Sequence, residues 1–321
     1  MKSLIPILCI FALAGSSLAQ PGPTGANRRP KSAILERALR AQAKLKYSGV
    51  RKMIMRLGPQ SKMNIERVWQ DGSRSRVEFE PGSDDAGQII VITGGTRSHF
   101  FPASNEIQVR PVHLDEPLIR LGEMVRGGRG TQIKESSGGA VAGQKTTLLS
   151  FVDANNNVMG RLWIDPDTAM ILKRELFDPS GRLVGSMEFL RVDLSPTFDE
   201  SDFKISRQGA RVVTIDDLLR RQASAVGVRP LRLPESTGFV LESVSALPLG
   251  QGNRAVSQSY FNRQGRRLSL FITRKSIDAR RLKGRQGPGL ATVTKTFGEI
   301  TVVLVGSLNV AELQKLADQV K

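Results

Sequence analysis

"GRLWIDPDTAMILKRELFDPSGRL", residues 160–183, holds two turn signals, Asp165-Pro166-Asp167 and Asp178-Pro179-Ser180-Gly181, between short runs that mix apolar and charged side chains. Proline presets the backbone angle that opens a turn, an aspartate side chain accepts from amides two residues on, and glycine takes left-handed backbone without cost. The spacing therefore predicts strands joined by tight turns. Asp165, Asp167 and Asp178 read as turn punctuation, not as a set of catalytic acids.

Working outward, the same punctuation runs from residue 50 to about 192. "GVRKMIMRL", "SKMNIERVWQ", "SRVEFE", "QIIVITG", "RSHFFPA", "EIQVRP", "KTTLLSFVD" and "RLVGSMEFLRVD" are short, half-alternating runs separated by glycine, asparagine and proline. Many such strands in sequence suggest a curled sheet or partly open barrel. "LDEPLIRLGEMV", residues 114–125, interrupts them with a predicted helix.

Before the strands, "SAILERALRAQAKLKYSGV" places Ser32 as a helix cap and Ile34, Leu35, Ala38, Leu39, Ala41 and Leu45 at three- and four-residue spacing, which makes one apolar face. Further on, "LATVTKTFGEITVVLVGSL" predicts a hairpin turning at Phe297-Gly298. "NVAELQKLADQV" predicts a helix capped by Asn309 and Glu312, with Val310, Leu313, Leu316, Ala317 and Val320 on its buried face.

"MKSLIPILCIFALAGSSLAQ" joins a basic Lys2 to an apolar run and ends in Ser17-Leu18-Ala19, the pattern of a secretory signal peptide cleaved after Ala19. The division predicted is a signal peptide over 1–19, a flexible spacer over 20–30 and a curled-sheet or partly open barrel domain over 31–206. An inter-domain linker follows over 207–228, then a small α+β domain over 229–321. The residues themselves predict a curled sheet or partly open barrel of short antiparallel strands, then a second, smaller domain with hairpins and a closing helix. The location expected is the periplasm or another extracytoplasmic space, soluble after cleavage.

Composition narrows function. The only cysteine, Cys9, lies inside the signal, so disulfides, thiolate metal sites and a cysteine nucleophile are not expected of the mature chain. A net charge of +17 across 321 residues favours anionic partners. Export and 5% aromatic content argue against nucleic acid, since single strands are held largely by aromatic stacking.

The sequence offers few groups suited to catalysis or metal binding. His99 and His113 are the two histidines, and neither comes with convergent ligands, so no metal or cofactor is expected. Asp153, Asn155 and Asn157 match the first positions of a calcium loop, but Val158 stands where the turn glycine belongs and Ile164 where the chelating glutamate belongs. A hairpin turn explains them better. Glu78 and Glu80 share a strand face, as exposed carboxylates commonly do. No nucleophile elbow is present, no catalytic residue is assigned, and a non-enzymatic protein is expected.

Two residue sets are candidates for binding. Met53 and Met55 fall on one strand face, Met187 and Phe189 on another, and Ile164 ends a third strand. If the sheet curls inward they would line an apolar surface able to hold an acyl chain, because thioethers adapt to irregular ligands; a plain filled core is the competing reading. Arg126, Arg129, Arg280, Arg281 and Arg285, in "RGGRG" and "RRLKGR", are candidates for a protein partner or an anionic head group.

With its neighbour "VGSMEFLRVDL", the opening stretch resembles the "RLWLD-x-x-TGLLLKS-x-LLD-x-x-G" passage of the sigma-E regulatory proteins of the RseB/MucB type. "LERALRAQAKLKYSGV" resembles that family's first helix and "NYSG" strand, and "SRVEFEPG" and "FFPASNEIQVRP" follow in order. "LRLPESTGFVLESVSAL", "SYFNRQGRRLSLFI" and "FGEITVVLVGSLNVAELQKLADQV" are similar to its second domain. There are departures: "TGLLLKS" is "TAMILKR" here, and Gly-Glu-Val-Pro is Gly306-Ser307-Leu308-Asn309.

The resemblance implies an α+β fold class: a half-open antiparallel β-barrel with helices across its mouth, like the LolA and LolB lipoprotein carriers, followed by a smaller α+β domain. It also implies a negative regulator of an extracytoplasmic-function sigma factor in the envelope stress response. Such a protein binds the exported domain of a membrane-spanning anti-sigma factor, shields it from proteolysis, and is displaced by lipid or lipoprotein. A periplasmic carrier of lipid or lipoprotein without a sigma-factor role is the alternative. Homo-oligomer formation stays open.

Overall fold

The computed structural model describes residues 32–41, 44–57, 60–113, 131–250, 252–274 and 290–321. The predicted helix at 114–125 lies outside them. The chain divides into two compact units, one ending at Thr214 and the other starting at Ile215. That division falls inside the segment 207–228 read as a linker.

The first unit opens with α1 (Ala33–Ala41), where the Leu35 amide donates to Ser32 Oγ at 3.4 Å. Twelve strands follow: β1 (Lys46–Leu57), β2 (Gln60–Asp71), β3 (Arg74–Phe79), β4 (Ile89–Thr93), β5 (Thr96–Phe101), β6 (Glu106–Pro111), β7 (Gln132–Val141), β8 (Gln144–Val152), β9 (Val158–Ile164), β10 (Ile171–Phe177), β11 (Leu183–Asp193) and β12 (Arg211–Thr214). They form one sheet in the order β12-β6-β5-β4-β3-β2-β1-β11-β10-β9-β8-β7. The pairings are antiparallel except β12 with β6. The end strands β12 and β7 do not pair with each other, so the sheet stays open, as a half-open barrel does.

Directly opposed residues of antiparallel strands share a face, and each half of this sheet buries a different one. On the face that carries α1, Leu35 and Ala38 pack with Leu149, Phe151, Leu162, Leu172 and Phe189. On the opposite face of β4, β5 and β6, Ile89, Val91, Phe100 and Ile107 are covered by Phe203. Phe203 ends a 3₁₀ turn, Glu200–Phe203, that Asp199 caps through the Ser201 amide.

The turns of the opening stretch form as punctuation. Asp165 Oδ1 accepts from the Asp167 amide at 2.8 Å, and Asp178 Oδ1 accepts from the amides of Ser180 and Arg182 at 2.9 and 3.0 Å. The Ser180 hydroxyl, followed by the Arg182 contacts, holds the Asp178 carboxyl down at about 2. Asp153 likewise accepts from the amides of Asn155 and Asn157, closing the β8–β9 turn.

The second unit comprises α2 (Ile215–Val226), β13 (Phe239–Gly250), β14 (Asn253–Asn262), β15 (Arg267–Thr273), β16 (Ala291–Phe297), β17 (Ile300–Gly306) and α3 (Val310–Asp318), with sheet order β13-β14-β15-β17-β16. Leu219 and Ala223 of α2 and Leu313, Leu316 and Ala317 of α3 pack on Tyr260, Leu268, Leu270, Ile272, Val302 and Leu304. Phe271, Val303 and Val305 are buried on the other face. β17 is therefore apolar on both sides, which is why its sequence does not alternate. Buried Tyr260 donates to Gln258 Oε1 at 2.5 Å and accepts from the Leu233 amide at 3.1 Å, and burial pushes its phenol well up.

The capping box of α3 forms in both directions between Asn309 and Glu312, at 2.8 and 3.0 Å. Val310, expected on the buried face, is 60% exposed instead. It occupies the first helical position, where the face is set by the residues one turn later. β7 and β12 had no counterpart among the predicted strands.

Candidate functional site

β1 lies between β2 and β11 at the middle of the large sheet and sets the geometry of the α1 face. Met53 stands opposite Met187 on β11, and Met55 opposite Gly185. Tyr47 meets Phe189 edge to face, with ring centroids 5.6 Å apart. Met53, Ile164, Met187 and Phe189, chosen from sequence as one apolar lining, come together in a single cluster with α1. Ile164, Met187 and Phe189 are buried, while Met53 and Met55 are half-buried.

A close approach fixes this arrangement. β11 carries an extra residue where Val50 pairs with Arg191 and Arg51 with Phe189, leaving Leu190 turned out and 53% exposed. A side-chain carbon added at Gly49 would lie 2.6 Å from the Arg191 carbonyl oxygen and 3.2 Å from the Phe189 ring. Only glycine fits there.

Next to the apolar cluster the same face turns polar. Arg51 Nε donates to Glu66 Oε2 at 2.7 Å. Burial opposes the guanidinium charge, but Glu66 beside it holds the Arg51 pKa above its ordinary value. Lys62 pairs with Asp85 at 2.6 Å, and Asp85 also accepts from Asn64 Nδ2 at 2.9 Å and Gln88 Nε2 at 3.1 Å. Gln88 Oε1 lies 2.8 Å from His99 Nε2. Burial first, then the charges of Arg97, Arg110 and Lys62, depress the His99 pKa to about 3, so this imidazole is neutral at physiological pH. Sequence reading missed this network, because the register of β1, β2 and β5 and the segment between β3 and β4, which holds Asp85 and Gln88, together bring its members into contact.

Among the described residues no three His, Cys, Asp or Glu side chains gather as a metal site would require, and no helix is long and apolar enough to cross a membrane. Glu78 and Glu80 are paired with Arg76 and Arg67. Arg126, Arg129, Arg280, Arg281 and Arg285 lie outside the described residues.

The class the fold defines is an open antiparallel β-sheet with an apolar patch under a short helix, joined in sequence to a small α+β unit. No protein-family model and no curated protein sequence matches the chain. Among solved structures it is similar to MucB, at 17% identity over 91% of this chain and 98% of that one, with a TM-score of 0.44. It is similar to the complex structure of Pseudomonas aeruginosa MucA/MucB at 15% identity over 90% and 97%, with a TM-score of 0.46. A LolA superfamily protein from Nitrosomonas europaea is 13% identical over 54% of this chain and 96% of its own, with a TM-score of 0.27.

Proposed function

We propose that this chain is an exported negative regulator of an extracytoplasmic-function sigma factor, which binds the exported domain of a membrane-spanning anti-sigma factor and senses lipid or lipoprotein. The observation that carries the reading is the order of sequence segments resembling the sigma-E regulatory proteins. Within the described residues they fall on α1 and β1, on β3, β5 and β6 and on β9 to β11 of one unit, then on β13, β14, β15, β17 and α3 of the other.

In this reading, helices span the mouth of the half-open barrel, and α1 is one of them. Met53, Met55, Ile164, Met187 and Phe189 form the acyl-binding surface. Because Leu35 and Ala38 already occupy that surface, an acyl chain and α1 compete for it, and ligand entry requires α1 to move. Arg126, Arg129, Arg280, Arg281 and Arg285 contact the protein partner or an anionic head group. The chain works in the periplasm or an equivalent extracytoplasmic space and uses no catalytic chemistry.

The apolar cluster itself favours a second reading, a lipid or lipoprotein carrier. Affinity capture from the native envelope, read for proteins and lipids together, separates the two. A regulator retains a single-span anti-sigma factor; a carrier retains acyl ligand and no such membrane protein.

A further inference from the structure

The second unit carries a cleft of about 580 Å³ beside the C-terminus of α2, walled on the other side by the β16–β17 turn. α2 ends in a left-handed glycine: Gly227 has φ 74°, its amide donates to Ser224 O, and the Val228 amide donates to Ala223 O, each at 3.0 Å. This double closure satisfies the last carbonyls of the helix and turns the chain sharply. It sends Val228 toward the core and Arg229 into the cleft.

Arg274, which follows β15, lines the same cleft and lies against Gly227: a side-chain carbon added there would be 3.7 Å from its guanidinium carbon. A cation at a helix C-terminus is favoured by the helix dipole. Among the described residues, neither Arg229 nor Arg274 has an ion-pair or hydrogen-bond partner through its side chain. The apolar part of the lining comes from Val228, Phe297 and Ile300. Residues 215–321 hold 17 Lys and Arg against 8 Asp and Glu, so the surrounding field also attracts anions.

We infer that this cleft binds an acidic peptide segment, one carboxylate taken by Arg229 and Arg274 and a neighbouring apolar side chain set on Val228, Phe297 and Ile300. Planar guanidinium groups match a carboxylate through paired N–H donors. The apolar floor beside them favours a peptide over a bare anion. Glu299, the one acid among the described residues of the lining, limits affinity and disfavours dense negative charge. The inference goes beyond the proposed regulator and stands whether the partner is an anti-sigma factor or another protein.

The test uses the full mature chain and a fluorescein-labelled decapeptide of alternating glutamate and leucine, followed by anisotropy at low and high salt. Binding is expected, weakening with salt. Arg229→Glu with Arg274→Glu should lower affinity by about tenfold or more, and Arg274→Gln by a smaller factor. Arg263→Glu with Lys315→Glu, an equal change of charge outside the cleft, should leave affinity within about twofold. Glu299→Gln should tighten it. Equal losses in both reversed pairs would reduce the effect to bulk charge and overturn the inference. So would binding to phosphatidylglycerol vesicles with none to the peptide.

Discussion

Arg51 on β1 and Glu66 on β2 stand directly opposite each other on the α1 face, joined at 2.7 Å, and the Glu66 side chain is only 8% exposed. Removing one partner of a buried pair strands the other charge, at a cost of about 3–5 kcal/mol. Glu66→Ala should therefore lower stability by that order in urea unfolding at pH 7. Arg51→Met combined with Glu66→Leu should cost much less. If the single and double changes are equally harmful, the pair does not act through its charge.

Gly49 gives a second prediction. Its neighbour at 2.6 Å is backbone, the Arg191 carbonyl, so the strand itself must shift to admit a methyl group. Gly49→Ala should cost about 1–3 kcal/mol, the range of overpacked sites. Unfolding by heat and by urea reads it. An unchanged midpoint would mean that β1 and β11 are not packed this closely.

His99 predicts a pH dependence. Its folded pKa of about 3 lies below the ordinary 6.5, so the unfolded chain binds the extra proton. Stability from this group is whole above pH 6.5 and falls as the pH drops from there toward 3. Between pH 7 and pH 4.5 the loss is on the order of 2.5 kcal/mol. His99→Gln, which keeps an amide for Gln88, should flatten that part of the stability curve. Equal acid sensitivity in both proteins would contradict the assignment.

Ala169 occupies left-handed backbone at φ 60° and is 2% exposed. It stands where the resembling passage has glycine. Glycine would relieve about 1–2 kcal/mol of backbone strain but lose a buried methyl of about 0.8 kcal/mol and some chain entropy. Ala169→Gly should therefore shift stability by less than about 1 kcal/mol. Ala169→Val, β-branched at positive φ, should cost more than about 2 kcal/mol. Thermal melts of the two variants distinguish these outcomes.

What the sequence made legible was local. Aspartate-proline turns, the Asn309–Glu312 box and the apolar periodicity of α1 are encoded within a few residues, and each formed as read. β7 was missed because "QIKESSGGAV" has too few apolar residues to alternate; its edge position lets most of it stay exposed. β12 was missed because four residues pair in parallel with β6, about a hundred positions earlier. The Arg51–Glu66 contact depends on strand register, and the Asn64–Asp85 and Gln88–His99 contacts on where the β3–β4 connection lies against the sheet, which no single stretch announces. The gathering of Met53, Ile164, Met187 and Phe189 was visible as parity along strands; that Leu35 and Ala38 of α1 join the same cluster was not.

The proposed regulator stands or falls on binding its protein partner. The direct measurement is isothermal titration of the mature chain with the purified exported domain of the single-span anti-sigma factor encoded in the same genome. A regulator forms a saturable complex with a Kd of about a micromolar or tighter, near −8 kcal/mol. Absence of binding at about 100 μM of both proteins, with each shown to be folded, would contradict it.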